Sequence, residues 1–375
     1  MSNENLTHNA PLFLKVFLSL LMIFLFLELT ARFFVVPSDN IFISEPTLGW
    51  KFIPEKAGTF YNGHFWRQYK FNREGFLDNE YTIEKKSTRV ATIGDSFIEG
   101  LSVHQNETMQ SVLEEKLNAH TEVNRSYEVI NFGVGSYGTL QEYLALREYG
   151  LKYKPDFVLL GFYMNDYDDN FYAFTKYKER PYANFSSGTL KINPPTSPLN
   201  TPPFALFVSE YFKSAVLLRQ IFLKITSPEK TVAGFDFGKY MSPYHKNYTN
   251  LNDEAWNTTL NIITEIKTIS EANNATLIVV IIPNSFELYN EDYNALLKEL
   301  EFYNFSIDDI DLNKPRAVLT TFLMDNNISF VNVYELCKNN IAEKCYYDFP
   351  KDVHWNNFGN SLVAENLTDF ILTHK

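Results

Sequence analysis

Cysteine is nearly absent from the chain. Two of 375 residues, Cys337 and Cys345 in "ELCKNNIAEKC", leave no CxxC pair on which a zinc or thiol-redox site could be built. Outside the cytosol the two can close a small disulfide loop; two free thiols are the alternative. Basic charge is in deficit as well: 33 Lys and Arg against 45 Asp and Glu give a net charge of −12. That balance argues against nucleic acid as a partner and against a polybasic membrane patch. No GxGxxG or GxxxxGK(S/T) follows the first β-branched run. The loops that cradle the phosphates of nucleotide and flavin cofactors are therefore missing, and no cofactor is expected. Internal repeats and heptad arrays are lacking too.

What the chain has is apolar mass. Hydrophobic residues make up 45% and charged ones 21%, the proportions of a folded chain with a sizeable core. Residues 11–36, "PLFLKVFLSLLMIFLFLELTARFFVV", are broken by charge only at Lys15, Glu28 and Arg32. The run is long enough to cross a bilayer of ~30 Å, and no small-x-small cleavage site follows it. It predicts an uncleaved transmembrane anchor over 12–36 behind a short tail at 1–11. The expected orientation is a cytoplasmic tail with the bulk of the chain outside. Residues 37–88 are polar and aromatic with turn signals, a partly β lead-in.

From residue 89 the pattern becomes regular. Five short apolar runs, "RVATIGDS", "YEVINFG", "PDFVLLGFY", "ATLIVVIIP" and "ISFVNV", read as buried parallel strands. Helical stripes lie between and after them, closing with "NSLVAENLTDFILTHK". Alternation of this kind predicts a parallel five-stranded sheet with helices on both faces, over 89–375. The rhythm breaks at about 167–250, an insertion that carries the proline-rich "NPPTSPLNTPP" and the apolar "FALFVSEYFKSAVLLRQIFLK". An insertion of that size is expected to be a lid or specificity element, with the apolar segment packed as core or lid.

In such sheets ligands sit beyond the carboxyl ends of the strands. Ser96 follows the first strand, Gly135 and Ser136 the second, Asn165 the third, and Asp352 and His354 the last. A serine hydroxyl needs a neighbour to take its proton before it can attack. Of seven histidines only His354, in "PKDVHWNNFG", combines a strand-end position with an acid two residues ahead. Asp352 can hold the Nδ1–H and turn Nε2 toward Ser96. Attack on an ester carbonyl makes an oxyanion, which needs fixed donors. The Ser96 N–H, an N–H from "GVGSYG" and the Asn165 side chain are the candidates.

Gly94-Asp95-Ser96 with Gly100, then "NFGVGSYGT", then Asn165-Asp166, then Asp352-Val353-His354 stand in the block order of one family. Over residues 89–375 the chain resembles an SGNH, or GDSL-type, hydrolase. The resemblance implies a three-layer flavodoxin-like sheet, acyl hydrolysis or transfer through a serine ester, and no metal. It assigns Ser96 as nucleophile, His354 as base, and Asp352 as its orienter. The oxyanion donors it implies are the Ser96 N–H, Asn165, and Gly135 or Ser136. Three positions depart from the pattern. Ser136 stands where the family carries its oxyanion glycine, which leaves open whether residue 135 or 136 donates. Tyr163 replaces a glycine two before Asn165, an exchange expected to narrow the pocket. The acid lies two rather than three before the histidine, and position 351 is Lys. The Asp-x-His-Trp spelling is similar to that of membrane-associated members that acetylate exported polysaccharides.

"DYDDN" at 166–170 partly spells a calcium loop, but Phe171 stands where that loop needs glycine, and the closing glutamate is missing. It is expected to be a solvated entry to the insertion, with Asp166 bracing the strand end. Two function classes follow. One is a membrane-anchored serine esterase or O-acyltransferase acting on an acylated carbohydrate or lipid outside the cytosol. The other is a non-catalytic glycan-binding or assembly partner of a membrane acyltransferase.

Overall fold

The computed structural model describes residues 4–34, 41–61, 66–120, 126–175, 178–186, 189–196, 207–208, 211–215, 217–218, 237–348 and 352–373. The rest of the apolar segment 204–224, residues 197–203 of the proline-rich stretch, His64 and Lys351 lie outside the described residues. Two compact units are present: Met1–Asn40 with Thr201–Phe235, and Ile41–Asn200 with Asp236–Lys375.

In the first unit, α1 runs from Glu4 to Phe34. It begins earlier than the expected 12–36 because nothing in the polar tail before Pro11 breaks a helix. Its Leu12–Arg32 stretch, 21 residues, is long and apolar enough to cross a membrane or to serve as a signal sequence. At 1.5 Å per residue it spans about 32 Å.

The second unit opens with two antiparallel pairs, β1 (Phe42–Glu45) with β2 (Gly49–Phe52) and β3 (Ala57–Tyr61) with β4 (Trp66–Lys70). The chain then alternates: β5 (Thr88–Gly94), α2 (Ser96–Glu99), α3 (Met109–Ala119), β6 (Tyr127–Asn131), α4 (Thr139–Ala145), β7 (Phe157–Tyr163) and α5 (Asn165–Asn170). A hairpin that the sequence pattern does not announce, β8 (Tyr182–Ser186) with β9 (Thr189–Asn193), follows. After α6 (Phe237–Met241) and α7 (Asn250–Ala272) come β10 (Thr276–Ile282), α8 (Asn290–Phe302), α9 (Lys314–Asp325), β11 (Ser329–Asn332), α10 (Val333–Asn339) and α11 (Asn357–Thr373).

Five strands form one parallel sheet in the order β11-β10-β7-β5-β6. Successive side chains point to opposite faces of a strand, and here both faces are covered. Val90, Leu159, Ile278, Val280 and Val331 join a core with Leu113 and Leu117 of α3 and Val363, Leu367 and Ile371 of α11. Their neighbours Ala91, Leu160, Val279 and Ile281 are equally buried on the other side, where α4 and α7 pack. Double burial explains why the strands read as continuous apolar runs rather than alternating ones. The winding reverses between β5 and β7, which opens a crevice at their carboxyl ends.

Glycine is a steric requirement where β5 and β7 meet α2. Gly94 and Gly161 are register partners on β5 and β7, and both face the Ile98 side chain of α2. A Cβ at Gly94 would lie 2.2 Å from Ile98 Cγ1, and one at Gly161 2.5 Å from the same atom. Their absence lets α2 settle directly on the sheet. The expected solvated turn at 166–170 is instead the buried helix α5. Tyr167 packs on Trp256 at 5.0 Å, and Asn170 Oδ1 accepts the Leu140 N–H at 3.0 Å. These tertiary partners are remote in sequence, so polarity alone misplaces the segment. Cys337 and Cys345 form a disulfide, and both are fully buried.

Replacing Gly161 by alanine is expected to cost about 1–3 kcal/mol, typical of overpacking. Urea denaturation of Gly161→Ala, Ile98→Ala and the double variant checks this. The double variant should lose less than the sum of the singles, because truncating Ile98 removes the collision.

Candidate active site

Strand β5 ends at Gly94, and Asp95 starts the turn that carries Ser96. The Asp95 carboxylate accepts the Phe97 N–H at 2.9 Å, which caps α2, and takes the Asn165 side chain as a second donor. Gly100 closes the helix at φ +83°. Its carbonyl accepts a hydrogen bond from Arg67 of β4 at 3.1 Å. Ser96 thus sits at the start of a one-turn helix fixed at both ends.

His354 and Asp352 come from the loop between α10 and α11. The disulfide closes the start of that loop, and a bridge between Tyr346 and Trp355 narrows its neck. One carboxylate oxygen, Asp352 Oδ1, accepts both the His354 backbone N–H at 2.9 Å and the Nδ1–H at 2.7 Å. The two-residue spacing works because Asp352 forms this local turn with its own histidine. With Nδ1 protonated toward Asp352, Nε2 is free to accept, and Ser96 Oγ lies 2.8 Å from it. The Phe97 ring supports the imidazole from below, centroids 5.1 Å apart.

The second-strand loop faces the same crevice. Gly135 donates its N–H to the Glu99 carboxylate, and its carbonyl accepts from Trp50 Nε1 at 3.4 Å. In a planar trans peptide the next N–H points away from that carbonyl. The Ser136 N–H therefore turns opposite to Trp50, and among the described residues no backbone acceptor faces it. Ser136 holds φ +62°, the left-handed region that glycine enters without strain. Arg180 in the insertion clamps its carbonyl at 2.9 Å and pairs with Asp169 at 3.0 Å. Asn165, first residue of α5, completes the set of Ser96, Gly135, Ser136, Asn165, Asp352 and His354 that the sequence nominates. Tyr163 is buried, with its ring 4.6 Å from Phe97 and its hydroxyl on Asn284.

Sequence patterns give no signal for Trp50, Arg67, Glu99, Glu142 or Arg180. Trp50, Arg67, Glu99 and Arg180 act through contacts with distant segments, and Glu142 through the charges of Asp95, Asp169 and Arg180. Asp78 of the lead-in is similar: it accepts the Asn131 N–H at 2.7 Å where the second-strand loop begins.

Carboxyl groups crowd behind the crevice. Burial pushes Asp95 up to about 6 and Glu99 up to about 7. Burial, with repulsion among neighbouring carboxyls, drives Glu142 and Asp166 well above the ordinary carboxyl range. Burial alone would lower His354, but the Asp352 hydrogen bond and charge, with Asp95 and Glu99, outweigh it and raise the imidazole. This arrangement can draw a proton from a hydroxyl and hold a developing oxyanion, with every group on a fixed element.

Residues 90–367 match the GDSL-like lipase/acylhydrolase family. The chain belongs to that family. Its members hydrolyse acyl esters, and the five-stranded sheet seen here is their SGNH fold. Among curated proteins no relative matches. Solved structures similar to this GDSL chain include a lipolytic G-D-S-L protein from Veillonella parvula, at 10% identity and a TM-score of 0.39 over 77% of this chain and 100% of that one. An acetylxylan esterase from Geobacillus stearothermophilus shows 10% identity and a TM-score of 0.42 over 77% and 96%. The acetyl xylan esterase AlAXEase shows 16% identity and a TM-score of 0.40 over 76% and 99%.

Two outcomes follow from these electrostatics. The acid limb of a kcat/KM profile should lie above the ordinary imidazole value and move down in Asp352→Asn, since the raising partner is lost. Glu142 and Asp166 have folded-state pKa values above their unfolded ones. They therefore favour the folded state in acid and withdraw stability as pH rises through the folded values. Melting curves of Glu142→Gln and Asp166→Asn should lose less Tm than the parent as pH rises from the ordinary carboxyl range toward the raised folded values.

Proposed function

We propose that this GDSL-family chain is a membrane-tethered serine esterase or O-acyltransferase acting on an acylated carbohydrate or lipid. The observation that carries the reading is the line from Asp352 through His354 to Ser96, with contacts of 2.7 and 2.8 Å. Ser96 Oγ attacks the ester carbonyl carbon while His354 Nε2 takes its proton. The carbonyl oxygen becomes an oxyanion beside the Ser96 N–H, the Ser136 N–H and the Asn165 amide; one such donor is worth ~3 kcal/mol. Ser136 is favoured over Gly135 because the Gly135 N–H is held by Glu99. The imidazolium then protonates the departing alcohol, leaving acyl-Ser96. A water or an acceptor hydroxyl, deprotonated by His354, attacks the acyl carbon and restores the serine. Water gives an esterase, a sugar hydroxyl a transferase.

The Leu12–Arg32 helix supports a membrane tether, and the buried Cys337–Cys345 disulfide supports an oxidising, extracytoplasmic side for the hydrolase unit.

Turnover of p-nitrophenyl acetate by the full chain in detergent tests the reading. Ser96→Ala should abolish it, and His354→Ala should lose on the order of 10²-fold or more. Variants that match the parent rate would leave the protein a binding partner rather than an enzyme. Supplying a sugar acceptor and following acetyl-sugar against acetate then separates transfer from hydrolysis.

A further inference from the structure

A carboxylate on an apolar helix is costly in a bilayer unless it finds donors. Glu28 of α1 finds three, all in the insertion's apolar segment and all within the first unit. Its Oε1 accepts the Lys213 N–H at 2.9 Å, and its Oε2 accepts the Ser214 N–H at 3.0 Å and the Ser214 hydroxyl at 2.8 Å. Arg32, one turn on, pairs with Glu28 at 3.3 Å and donates to the Tyr211 carbonyl at 3.4 Å. Phe24 packs on Phe212 with centroids 5.9 Å apart. The face of α1 marked by Glu28 and Ala31 is consequently buried, while Leu12 to Leu27 stay exposed.

Large apolar side chains of the segment nevertheless stay exposed. Its described residues are helical but for Phe212, and Phe207, Tyr211 and Leu218 are 50%, 56% and 66% exposed. In sequence these three belong to a longer stripe, Phe204, Phe207, Tyr211, Ala215, Leu218 and Phe222, at helical spacing. Between Tyr211 and Leu218 the backbone at Lys213 and Ser214 and the Ser214 hydroxyl are held by Glu28, while the large apolar side chains at 207, 211 and 218 stay exposed. Exposed apolar side chains tied to an α1 whose own apolar surface is exposed match an interfacial element.

We propose that the segment bearing Phe207, Tyr211 and Leu218 is a second membrane contact, its apolar stripe seated at the headgroup–acyl boundary of the bilayer that α1 crosses. This replaces the core or lid role expected from sequence and rests on the membrane-tether reading above. Glu28 and Arg32 are the clasp that sets the segment against α1 near the end of the span. The chain passes between the two units at 40–41, 200–201 and 235–236, so the hydrolase unit is tied to the bilayer by three connections rather than one.

Both native cysteines are in the disulfide, so an introduced cysteine is the reactive thiol for a polarity-sensitive dye. Full-length Phe207→Cys, Leu218→Cys, Leu20→Cys and Ile83→Cys, labelled and placed in phosphatidylcholine–phosphatidylglycerol vesicles, are challenged with lipids bearing a nitroxide on the acyl chain. Dyes at 207, 218 and 20 should each lose about half their fluorescence or more and emit to the blue, as membrane burial requires. The dye at 83, on an exposed lead-in position, should change little. Quenching at 20 without quenching at 207 and 218 overturns this inference and leaves the anchor standing. No quenching at 20 removes the anchor, and this inference with it.

Discussion

One hydrogen bond, between Ser96 Oγ and His354 Nε2, joins residues 258 positions apart, and much of the second unit can be understood as what keeps those two atoms within reach. Ser96 is positioned from the sheet side. Gly94 and Gly161 open the space into which Ile98 drops, so the first turn after β5 lies flat on the strands. His354 is positioned from the chain's far end, by a loop cinched by the Cys337–Cys345 disulfide and the Tyr346–Trp355 bridge and by α11 locked onto α3. The two halves meet on the rim where the parallel strands end, and direct contacts hold them there: Phe97 packs on His354 and Trp355 with centroids 5.1 Å away in each case, and the Tyr347 hydroxyl donates to the Ser102 carbonyl at 3.1 Å.

The lead-in and the insertion brace the rim rather than decorate it. Trp50 holds the Gly135 carbonyl, Arg67 the Gly100 carbonyl and Asp78 the Asn131 N–H, so the lead-in grips both loops that meet substrate in the proposed reaction. Arg180 grips Ser136 from the insertion. These contacts fix peptide orientation, which matters more for an oxyanion donor than for a side chain: a backbone N–H cannot be re-aimed without moving its loop. They also account for a serine at φ +62°, a conformation that costs about 1 kcal/mol or more and persists where neighbours over-determine it. Buried carboxyls add a second constraint. Asp95 and Glu99 cap and tether the loops around Ser96, and their charge, when present, favours the imidazolium.

The frame, and the rim at which the candidate side chains meet, were legible in the sequence for a physical reason. A strand buried on both faces has to be a run of Val, Ile, Leu and Phe, and ligands collect where such runs stop, so Ser96, Gly135, Ser136, Asn165, Asp352 and His354 could be named from position and chemistry. What stayed hidden is what depends on distant partners. Polarity made 166–170 look like a solvated entry, whereas Trp256 and Leu140 draw it into a buried helix. Glu142 and Arg180 carry no local pattern at all. That Glu99 occupies the Gly135 N–H was hidden as well, a matter of side-chain direction. The hydrogen bonds from Lys213 and Ser214 to Glu28 were hidden too, because they join segments some 185 residues apart.

The central claim is that folding gives Ser96 a reactivity no other hydroxyl in the chain has. Intact-mass and peptide mass spectrometry of the full chain after a fluorophosphonate probe tests it most directly. The account predicts a single adduct on Ser96 that forms far more slowly in His354→Ala and not at all in Ser96→Ala. Labelling that is absent from Ser96, or equally fast without His354, would contradict it.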